Sequence, residues 1–450
     1  MRSLIKTISG WGNYPAYSCR VFRGERAREQ KEILATPNES FIARGFGRAY
    51  GDAALNADHG VILQERFDKY LSFDSQTGLL ECEGGVSVED LLATFLPRGY
   101  FPPATPGTKF ITVGGAIAAD IHGKNHHREG SFSHTVESLK VMVASGETVT
   151  CSRTQNADLF RATVGGMGLS GIITGAKFRL LAVPSSRMKV FFKKTKNLEE
   201  TLAQFVATDE QYGHSVCWLD TVASGAKLGR GVMMLGNFAT AAEVGGPAER
   251  VHDVAFKKKA NVPFFLPEFT LNKLSIALFN GAVYAHYADN KSKIQTVDRY
   301  YYPLDSISNW NRGYGKSGFI QFQAVWPKTS SAEALKKTLE AIQKAGALSF
   351  LSVLKTMGPE SEGFLSFPMP GHTLALDIPY RGKETEELAR RLNALTLDYG
   401  GRVYLAKDAF LTAEQTRRMY PHYDEFLAAK KKWDPTGRFA SSLSKRVGLS

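Results

Sequence analysis

Glycine is concentrated in the first part of this chain rather than spread along it. The sequence contains 42 glycines among 450 residues, and they cluster between residues 45 and 175. Clustered glycine indicates a backbone that turns tightly or approaches a ligand closely. A chain of this length is expected to form two domains. Its hydrophobic (43%) and charged (22%) fractions are ordinary for a soluble globular protein.

The chain is basic, with a formal net charge of +12 and a pI of about 9.3. Such a balance favours acidic partners, which include nucleic acid, anionic lipid and phosphorylated substrates. The basic residues are mostly dispersed, with short clusters at residues 193–194, 257–259 and 430–432. No zinc finger, RNP motif or basic helix accompanies them, so we expect an anionic lipid or a phosphate rather than nucleic acid.

Four cysteines, at positions 19, 82, 151 and 217, are too scattered for a CxxC pair or a metal-binding spacing. They indicate a reducing compartment without a disulfide framework. The first six residues, MRSLIK, lack the apolar core of a secretory signal, and no apolar run approaches the length that spans a bilayer. We therefore expect a cytoplasmic protein, and a peripheral contact at the inner face of the plasma membrane remains open.

Short strands and turns are predicted in the first 180 residues, and longer elements follow them. The sequence patterns predict early strands at residues 41–43, 60–63, 79–83, 138–143, 148–150 and 172–181. A helix is predicted over residues 88–96, with Ser87 as its N-cap. Later helices at 198–208, 332–345 and 385–399 alternate with strands at 318–325, 349–354 and 373–378. This order predicts an α+β domain built on an antiparallel sheet.

Residues 256–279 differ from their surroundings, because a lysine run is followed by the apolar sequence VPFFLP. The prolines at positions 263 and 267 are expected to break any regular element there. Two interpretations remain open for this segment. It is either an irregular loop packed on its domain, or a mobile lid or lipid-facing loop beside the site.

Residues 166–171 read GMGLSG and match the GxGxxG fingerprint literally. That fingerprint binds a dinucleotide only when a strand precedes it and a helix follows, so that the helix N-terminus faces the pyrophosphate. Here a short helix is predicted before it, at residues 156–160, and a strand after it. No acidic residue near position 190 could hold a ribose hydroxyl. Tight-turn glycines therefore explain this segment better than a Rossmann site.

Two other glycine loops are more informative. The first reads ARGFGRAYGD at residues 43–52. A strand that ends in two glycines can present consecutive backbone N–H groups to a phosphate, and Arg44 and Arg48 would add positive charge. A plain hairpin turn is the alternative for this loop taken alone. The second loop runs from PGT at 106–108 through TVGGAIAAD at 112–120, where small residues let a large flat group lie against the backbone.

Histidines at positions 122, 126, 127 and 134 follow the second loop and invite a zinc interpretation. Gly123 and Gly130 argue against a helix that would place His122 and His126 on one face. Spacing fixes no acidic or cysteine ligand nearby. We therefore expect no metal site.

Taken together and in this order, the loops resemble those of the vanillyl-alcohol oxidase type of FAD-linked oxidases, whose FAD-binding domain is of the PCMH type. Further similarity covers nearly the whole chain and lies at residues 121–127, 130–132, 162–166, 309–315, 318–321, 365–368 and 404–408. The resemblance implies a two-domain α+β fold, in which an α+β substrate domain is built on an antiparallel sheet. The implied division is a PCMH-type FAD-binding domain (1–185), a substrate domain (186–400) and a C-terminal segment that returns to the FAD-binding domain (401–450).

The resemblance also bears on how the cofactor is held. Many members of the family carry a histidine after Arg-Gly-x-Gly that bonds covalently to the flavin. That position is Arg48 here, and no cysteine stands in the second loop, so a non-covalent, dissociable FAD is implied. The residues that the resemblance assigns to the cofactor are Ala43, Arg44, Gly45, Phe46, Gly47, Arg48, Ala49, Tyr50, Gly51, Asp52, Gly107, Thr112, Val113, Gly114, Gly115, Ala119, Asp120, Ile121, His122, Ile173 and Tyr404.

The same resemblance implies two catalytic groups over the flavin, Lys407 and His122, either of which could take a hydroxyl proton. Lys407 could instead neutralise the reduced flavin or bind a substrate phosphate, and His122 could make only a structural hydrogen bond. Around the substrate the resemblance places Tyr50, Lys124, Trp218, Gln323, Lys355, Thr373 and Ala375.

The implied activity is oxidation of the 2′-hydroxyl of a polyprenylphosphoryl pentose. It would be the first half of a ribose-to-arabinose epimerisation that supplies cell-wall arabinan, completed by a separate NAD(P)H-dependent reductase. An alditol or aldonolactone oxidase or dehydrogenase acting on a free sugar or polyol is the alternative, and a flavin-free binding protein is a third class. Such sugar oxidases carry cysteine, asparagine and phenylalanine where this chain has Ala375, Thr373 and Met357. These differences alter the pocket wall and leave the sugar open.

Overall fold

The computed structural model describes residues 3–247, 250–254, 256 and 260–450. The basic cluster at residues 257–259, and with it part of the unusual segment 256–279, lies outside these described residues.

The described chain up to residue 185 is built from short elements. Its strands are β1 (Ser3–Ser9), β2 (Ala16–Arg23), β3 (Phe41–Arg44), β4 (Gly60–Leu63), β5 (Tyr70–Asp74), β6 (Leu79–Glu83), β7 (Tyr100–Phe101), β8 (Val136–Met142), β9 (Thr148–Ser152), β10 (Ile172–Arg179) and β11 (Leu181–Ala182). Its helices are α1 (Ala27–Leu34), α2 (Val88–Phe95), α3 (Val113–Ala118), α4 (His126–Glu129) and α5 (Ala157–Thr163).

Two sheets organise this region. Strands β1, β2, β4 and β3 form a four-stranded sheet in that order, in which β2 and β3 run parallel to β4. Strands β5, β6, β10, β8 and β9 form an antiparallel five-stranded sheet. The predicted N-cap of α2 is confirmed: Ser87 and Asp90 form a reciprocal capping box, which satisfies backbone donors at the helix start.

Longer elements follow residue 185. The strands are β12 (Arg187–Thr195), β13 (His214–Leu219), β14 (Gly231–Phe238), β15 (Ala260–Asn261), β16 (Lys291–Thr296), β17 (Ile307–Ser308), β18 (Phe319–Pro327), β19 (Ser352–Met357), β20 (Gly371–Pro379) and β21 (Arg402–Val403). The helices are α6 (Leu198–Thr208), α7 (Ala241–Val244), α8 (Lys273–His286), α9 (Val297–Tyr301), α10 (Ser331–Lys344), α11 (Lys383–Asp398), α12 (Ala413–Met419), α13 (Tyr423–Trp433) and α14 (Ser442–Val447).

The second region is built on one large antiparallel sheet, ordered β16-β12-β14-β13-β19-β20-β18-β21. Helices α10 and α11 pack on β18. Strand β18 is buried along Phe319–Trp326, which explains why it reads as a nearly continuous apolar run rather than an alternating one. The predicted α+β class with an antiparallel sheet is confirmed.

The end of the chain packs against its beginning. The backbone N–H of Phe41 donates to the carbonyl of Arg438 at 2.6 Å, and the N–H of Ala440 donates to the carbonyl of Phe41 at 3.0 Å. The guanidinium of Arg446 forms ion pairs at 2.7 Å with two buried carboxylates, Asp52 and Asp408. Residues 438–446 therefore close the four-stranded sheet and fix the loop around Asp408.

The prediction that residues 256–279 contain no regular element is wrong at their C-terminal end. Helix α8 begins at Lys273, beyond both prolines, and Asn272 caps it by accepting hydrogen bonds from the N–H groups of Leu274 and Ser275. Proline breaks a helix only where it stands inside one, and none stands in α8.

The GMGLSG segment is a turn between helix α5 and strand β10, the order expected from the sequence. Met167 and Gly168 both have positive φ angles, of 53° and 79°. The four cysteines are free and buried. Within the described ranges, no helix is both long and apolar enough to cross a membrane.

Candidate functional site

A cavity of about 1470 Å³ lies where the glycine loops, the large sheet and residues 404–407 meet. Pockets that hold one drug-sized ligand measure roughly 300–1000 Å³, so this cavity has room for a dinucleotide and a second ligand. Most residues assigned from the sequence line it: Ala43, Gly45, Phe46, Gly47, Arg48, Ala49, Tyr50, Gly107, Thr112, Gly114, Gly115, Ala119, Ile121, His122, Lys124, Ile173, Trp218, Gln323, Lys355, Ala375, Tyr404 and Lys407.

The remaining assigned residues stand behind the walls: Arg44, Gly51, Asp52, Val113, Asp120 and Thr373. Arg44 donates to the carbonyls of Ser9 at 2.7 Å and Ala54 at 3.2 Å, so its guanidinium braces the loop from behind. Thr373 donates to the carbonyl of Ala324 at 2.9 Å, which ties β20 to β18. These residues support the cavity, and their side chains do not face it.

Arg48 contributes the positive charge of the first glycine loop. Its guanidinium carbon lies 3.8 Å from the centre of the Trp11 ring and 5.2 Å from that of Phe110. Desolvation lowers the pKa of Arg48, and Asp305 opposes that effect by favouring the charged form. Gly47 stands just before it with a φ of 63°, a conformation that a residue with a side chain adopts only at a cost. The loop therefore holds a stacked cation at the cavity wall.

The second glycine loop brings backbone to the cavity surface. Thr112 caps α3 by accepting a hydrogen bond from the N–H of Gly115 at 3.1 Å. Gly114 packs against the backbone of Gly84, where an added Cβ would lie 3.0 Å from the carbonyl oxygen. The loop ends at Asp120, whose carboxylate accepts a hydrogen bond from Ser366 Oγ at 2.7 Å. Small residues are thus required for the close approach of α3 to its neighbours and leave a flat wall.

Four buried polar atoms of residues that line the cavity have no hydrogen-bond partner in the described part of the chain. They are Arg48 Nε, Gln64 Nε2, His122 Nδ1 and the Tyr301 hydroxyl. Leaving a buried donor unsatisfied costs about 1–3 kcal/mol, so such groups are normally paired. Their common position around one cavity indicates a polar ligand.

His122 is fixed by an amide from the large sheet. Its Nε2 lies 2.8 Å from Nε2 of Gln323, which in turn lies 3.3 Å from the hydroxyl of Thr373. The Gln323 amide donates to His122 in this arrangement, so the hydrogen of the neutral ring is on Nδ1, an assignment that follows from the network. Desolvation, with a further contribution from Lys355, holds the pKa of His122 well below its usual value. His122 therefore offers a neutral N–H to the cavity.

Lys407 is a buried amine that lines the cavity. Its Nζ lies 3.7 Å from the centre of the Tyr50 ring. Desolvation lowers the pKa of Lys407 to about 7, Asp377 raises it and Lys355 lowers it further. A lysine with such a pKa is a substantial fraction neutral at physiological pH, and a neutral amine can accept a proton.

Asp377 is a buried carboxyl whose charge acts on the pKa of Lys407. It accepts hydrogen bonds from Gln321 Nε2 at 2.5 Å and from the hydroxyl of Tyr314 at 3.0 Å. Desolvation raises the pKa of Asp377 to about 7, and the two hydrogen bonds and the charge of Lys407 oppose that rise. Its charge therefore depends on pH in the same range as that of Lys407.

Two further amines, Lys124 and Lys355, line the same cavity. Lys124 Nζ donates to the backbone carbonyl of Tyr300 and lies 4.3 Å from the centre of the Tyr300 ring. Desolvation lowers the pKa of Lys124 to about 7, with a further contribution from Lys355, and lowers that of Lys355 to about 8. Among the described residues, neither amine has an ion pair. Burial without a counter-ion favours a ligand that brings negative charge.

The sequence reasoning missed Asp377, Gln321 and Trp11, and it treated Gly168 as part of a turn only. Asp377 pairs with Gln321 across β18 and β20, as Ala375 pairs with Gln323. Two glutamines in the apolar β18, spaced by two, share one face of the strand, and that spacing was an available signal. Gly168 and its neighbour Met167 line the cavity through their turn.

The histidines do not form a metal site within the described residues, where no group of three or more His, Cys, Asp or Glu side chains could hold an ion. His126 Nδ1 instead accepts a hydrogen bond from the N–H of Gly358 at 2.9 Å. Nε2 of His127 lies 3.0 Å from the carbonyl oxygen of Tyr212. These contacts tie α4 to neighbouring segments.

Comparison with known proteins gives matches at both ends of the chain and over its whole length. The model of the FAD binding domain matches residues 21–152, and that of D-arabinono-1,4-lactone oxidase matches residues 325–447. Decaprenylphosphoryl-β-D-ribose oxidase of Mycolicibacterium smegmatis is 36% identical, covering 99% of this chain and 98% of the relative. L-gulono-1,4-lactone dehydrogenase of Mycobacterium tuberculosis is 21% identical over 97% of this chain and 98% of its own length. Cytokinin dehydrogenase 3 of rice is 31% identical over 32% of this chain and 28% of the relative.

Proposed function

Because the chain belongs to the FAD-linked oxidase family of decaprenylphosphoryl-β-D-ribose oxidase, we propose that it oxidises the 2′-hydroxyl of a polyprenylphosphoryl pentose to the 2′-keto sugar. The sequence-based prediction of this family is confirmed, and the chain is an FAD-dependent oxidoreductase that acts on CH–OH groups. The observation that carries the choice of substrate is the pair of cavity amines, Lys124 and Lys355, which have no carboxylate partner among the described residues.

The cavity fits FAD by three features of the chain. Its volume accommodates a dinucleotide, its glycine walls present backbone, and Arg48, Gln64 and His122 have unpaired polar atoms for a ligand to satisfy. We infer that the loops at residues 43–52 and 112–122 hold the cofactor without a covalent bond, since Arg48 offers no linking atom. When bound, FAD supplies the acceptor for the hydride that leaves the substrate carbon. Acid precipitation should then release all flavin into the supernatant.

In this proposal Lys407 accepts the hydroxyl proton as a neutral amine. Its pKa of about 7 places enough of the neutral form at physiological pH for general-base action. His122 donates its Nδ1–H within the site and is held in that orientation by Gln323. Replacing Lys407 with Ala should leave FAD bound and slow flavin reduction.

Substrate binding is assigned to the remaining walls. Lys124 and Lys355 would pair with the phosphodiester that joins sugar and lipid, because its negative charge needs a partner when it is buried. The sugar would lie among Tyr50, Trp218, Gln323 and Ala375, with Thr373 bracing Gln323 from behind.

An alditol or aldonolactone oxidase or dehydrogenase is the second candidate function. It is favoured by one observation, the match of the D-arabinono-1,4-lactone oxidase model to residues 325–447. The deciding experiment mixes the holoenzyme without oxygen with polyprenylphosphoryl-ribose, free polyols or aldonolactones and follows bleaching of the flavin absorbance. Bleaching by the lipid-linked sugar alone supports the proposal. Bleaching by only free polyols or lactones establishes the second candidate instead.

The wider setting is part of the same proposal. Residues 1–185 with 401–450 would form the FAD-binding domain and residues 186–400 the substrate domain, supported by the packing of Phe41 against residues 438–440. A separate NAD(P)H-dependent reductase would reduce the keto sugar. Such a partner and four free cysteines suit the cytoplasm, at the inner face of the plasma membrane.

A further inference from the structure

Large apolar side chains are exposed together on one segment of the substrate region. Of the thirteen large hydrophobic residues exposed among the described residues, seven lie between positions 264 and 294, so this is a concentration and not chance scatter. We define the apolar patch by six of them, which are 40–77% exposed: Phe264, Phe265, Phe269, Leu274, Leu278 and Phe279. The first three lie before α8 and the last three on it.

Helix α8 has no polar face to explain its position at the surface. Its inner face is anchored by Asn280, whose Nδ2 donates to Asp220 at 3.0 Å and to the carbonyl of Ser349 at 3.3 Å. On its outer face Leu274 and Leu278 are exposed, and between Lys273 and His286 the helix carries no charged residue. A helix that is apolar all round is normally covered on every side. The outer face of α8 is therefore an apolar surface that no described part of the chain covers.

The same helix forms part of the mouth of the cavity. Phe279, Val283 and His286 line the cavity from α8, and the exposed Lys291 and Lys293 line it from the edge strand β16. The cavity thus opens between an apolar helix and a lysine-bearing strand. A lipid chain leaving it on this side would meet the apolar patch.

We propose that the apolar patch docks onto a lipid bilayer with anionic headgroups, so that the polyprenyl chain passes from the bilayer into the cavity. The proposal rests on the proposed function, because only a lipid-linked substrate needs such a route. Lys273, Lys291 and Lys293 are exposed and face no ion-pair partner in the described residues, which suits an anionic surface. The acidic Glu268 beside the patch is occupied by hydrogen bonds from Ser317.

The length of α8 determines how it can bind the membrane. Fourteen residues at about 1.5 Å each give a helix of roughly 21 Å, shorter than the roughly 30 Å hydrocarbon core. Its inner face is also fixed to the domain through Asn280. Helix α8 therefore lies in the interface, with Leu274 and Leu278 towards the acyl chains, and does not span the bilayer.

Vesicle flotation of the holoenzyme tests the docking. The parent should float with vesicles of phosphatidylcholine and phosphatidylglycerol in equal parts, less with phosphatidylcholine alone, and less at high salt. A variant combining Phe269→Ser, Leu274→Ser and Leu278→Ser should bind the anionic vesicles about tenfold more weakly or worse. The matched control is Val206→Ser on α6, which removes an equally exposed side chain (74%) elsewhere and should bind like the parent.

Equal flotation of the triple variant and the parent would overturn the proposal, as would equal binding of the parent to neutral and anionic vesicles. Capture of a protein by the patch without any vesicle binding would assign it to a protein partner and overturn it too. If the triple variant loses FAD or its folded spectrum, Phe269→Trp replaces it. The emission that the introduced tryptophan adds to that of the parent should shift to shorter wavelength with anionic vesicles, and an unchanged emission contradicts docking.

A pair of substrates separates this proposal from the proposed function. A short-chain, water-soluble prenylphosphoryl ribose should reduce the flavin equally fast in the parent and the triple variant, because none of the three replaced residues lines the cavity. A long-chain substrate embedded in anionic vesicles should react several-fold more slowly with the variant. If the short-chain substrate does not reduce the flavin of the parent, the proposed function is wrong. Vesicle flotation still tests the docking in that case. If both substrates react equally with both proteins, the docking proposal fails.

Discussion

At the scale of single residues, a carboxyl and a second amine act on the pKa of Lys407 in opposite directions. Asp377 raises that pKa and Lys355 lowers it, while desolvation sets it near 7. If neutral Lys407 takes the proton, flavin reduction should speed up as pH rises through about 7 and level off above. A cationic Lys407 that only balances charge would give no such rise.

Replacing each neighbour should move this profile in a known direction. Asp377→Asn removes the charge that raises the pKa of Lys407, so the rise should move to lower pH by about one unit. Lys355→Gln removes the charge that lowers it, so the rise should move to higher pH. Stopped-flow flavin reduction measures both, and Asp424→Asn, which removes an exposed carboxylate, should change nothing. Shifts in the same direction would remove Lys407 from this role.

The sequence predicts site residues within short loops better than site residues that are paired across strands. The loops at residues 43–52 and 112–122 are local patterns, because a few consecutive small residues both shape the turn and approach the ligand. Asp377 could not be found in that way. Its position beside Gln321 follows from the register of β18 and β20. The two residues are 56 positions apart in the chain. Arg48 stacks on Trp11 for the same long-range reason.

At the scale of elements, the helices predicted over residues 88–96, 198–208, 332–345 and 385–399 correspond to α2, α6, α10 and α11, and α8 was not predicted. Ser87 and the apolar positions after it predict α2 because a cap and a helical period coincide. Helix α8 has no polar face, so its sequence lacks the amphipathic repeat that predicts a helix. The prolines before it predict a loop instead. Its placement depends on Asn280 and on Asp220, which Arg230 also holds at 2.7 Å.

Removing that anchor should loosen α8 selectively. Asn280→Ala removes one of two donors from each acceptor, because the Ser349 carbonyl keeps the Thr221 hydroxyl and Asp220 keeps the Val222 N–H. Each lost hydrogen bond contributes roughly 0.5–1.5 kcal/mol, so the free energy of unfolding should fall by about 1–3 kcal/mol. Hydrogen exchange should accelerate in α8 more than in α10 or α11. The exposed Asn290→Ala is the control and should behave like the parent. Uniform acceleration in all three helices would show that Asn280 does not anchor α8 in particular.

At the scale of the whole molecule, the C-terminus completes a structure begun by the first strands. Arg446 joins Asp52 to Asp408 across 394 and 38 residues. No local pattern encodes such pairs, and the return of residues 401–450 was expected only from the family resemblance. The position of Lys407 follows from this return, because Asp408 is held directly after it.

Breaking this junction should destabilise the protein in a pH-dependent way. Arg446→Met leaves two buried carboxylates without their cation, a loss of about 3–5 kcal/mol. Burial already raises the pKa of Asp52, and losing Arg446 raises it further. A carboxyl with a raised pKa stabilises the fold at low pH and loses that contribution as pH rises. Denaturant unfolding should therefore show a larger deficit at pH 8 than at pH 5.

The exposed pair of Arg417 and Asp424 provides the control for that experiment. Both side chains are more than 60% exposed, so Arg417→Met should cost less than about 1 kcal/mol at either pH. A deficit of Arg446→Met that is small, or that grows towards acid, would contradict the assigned role of the junction.

The most direct test of the proposed function follows the hydrogen that leaves the sugar. The holoenzyme is mixed without oxygen with polyprenylphosphoryl-ribose that carries deuterium at C2′, and flavin bleaching is timed against the unlabelled substrate. Oxidation at C2′ predicts that both substrates bleach the flavin and that the deuterated one does so several-fold more slowly. Equal rates for the two substrates, or no bleaching by either, would contradict it.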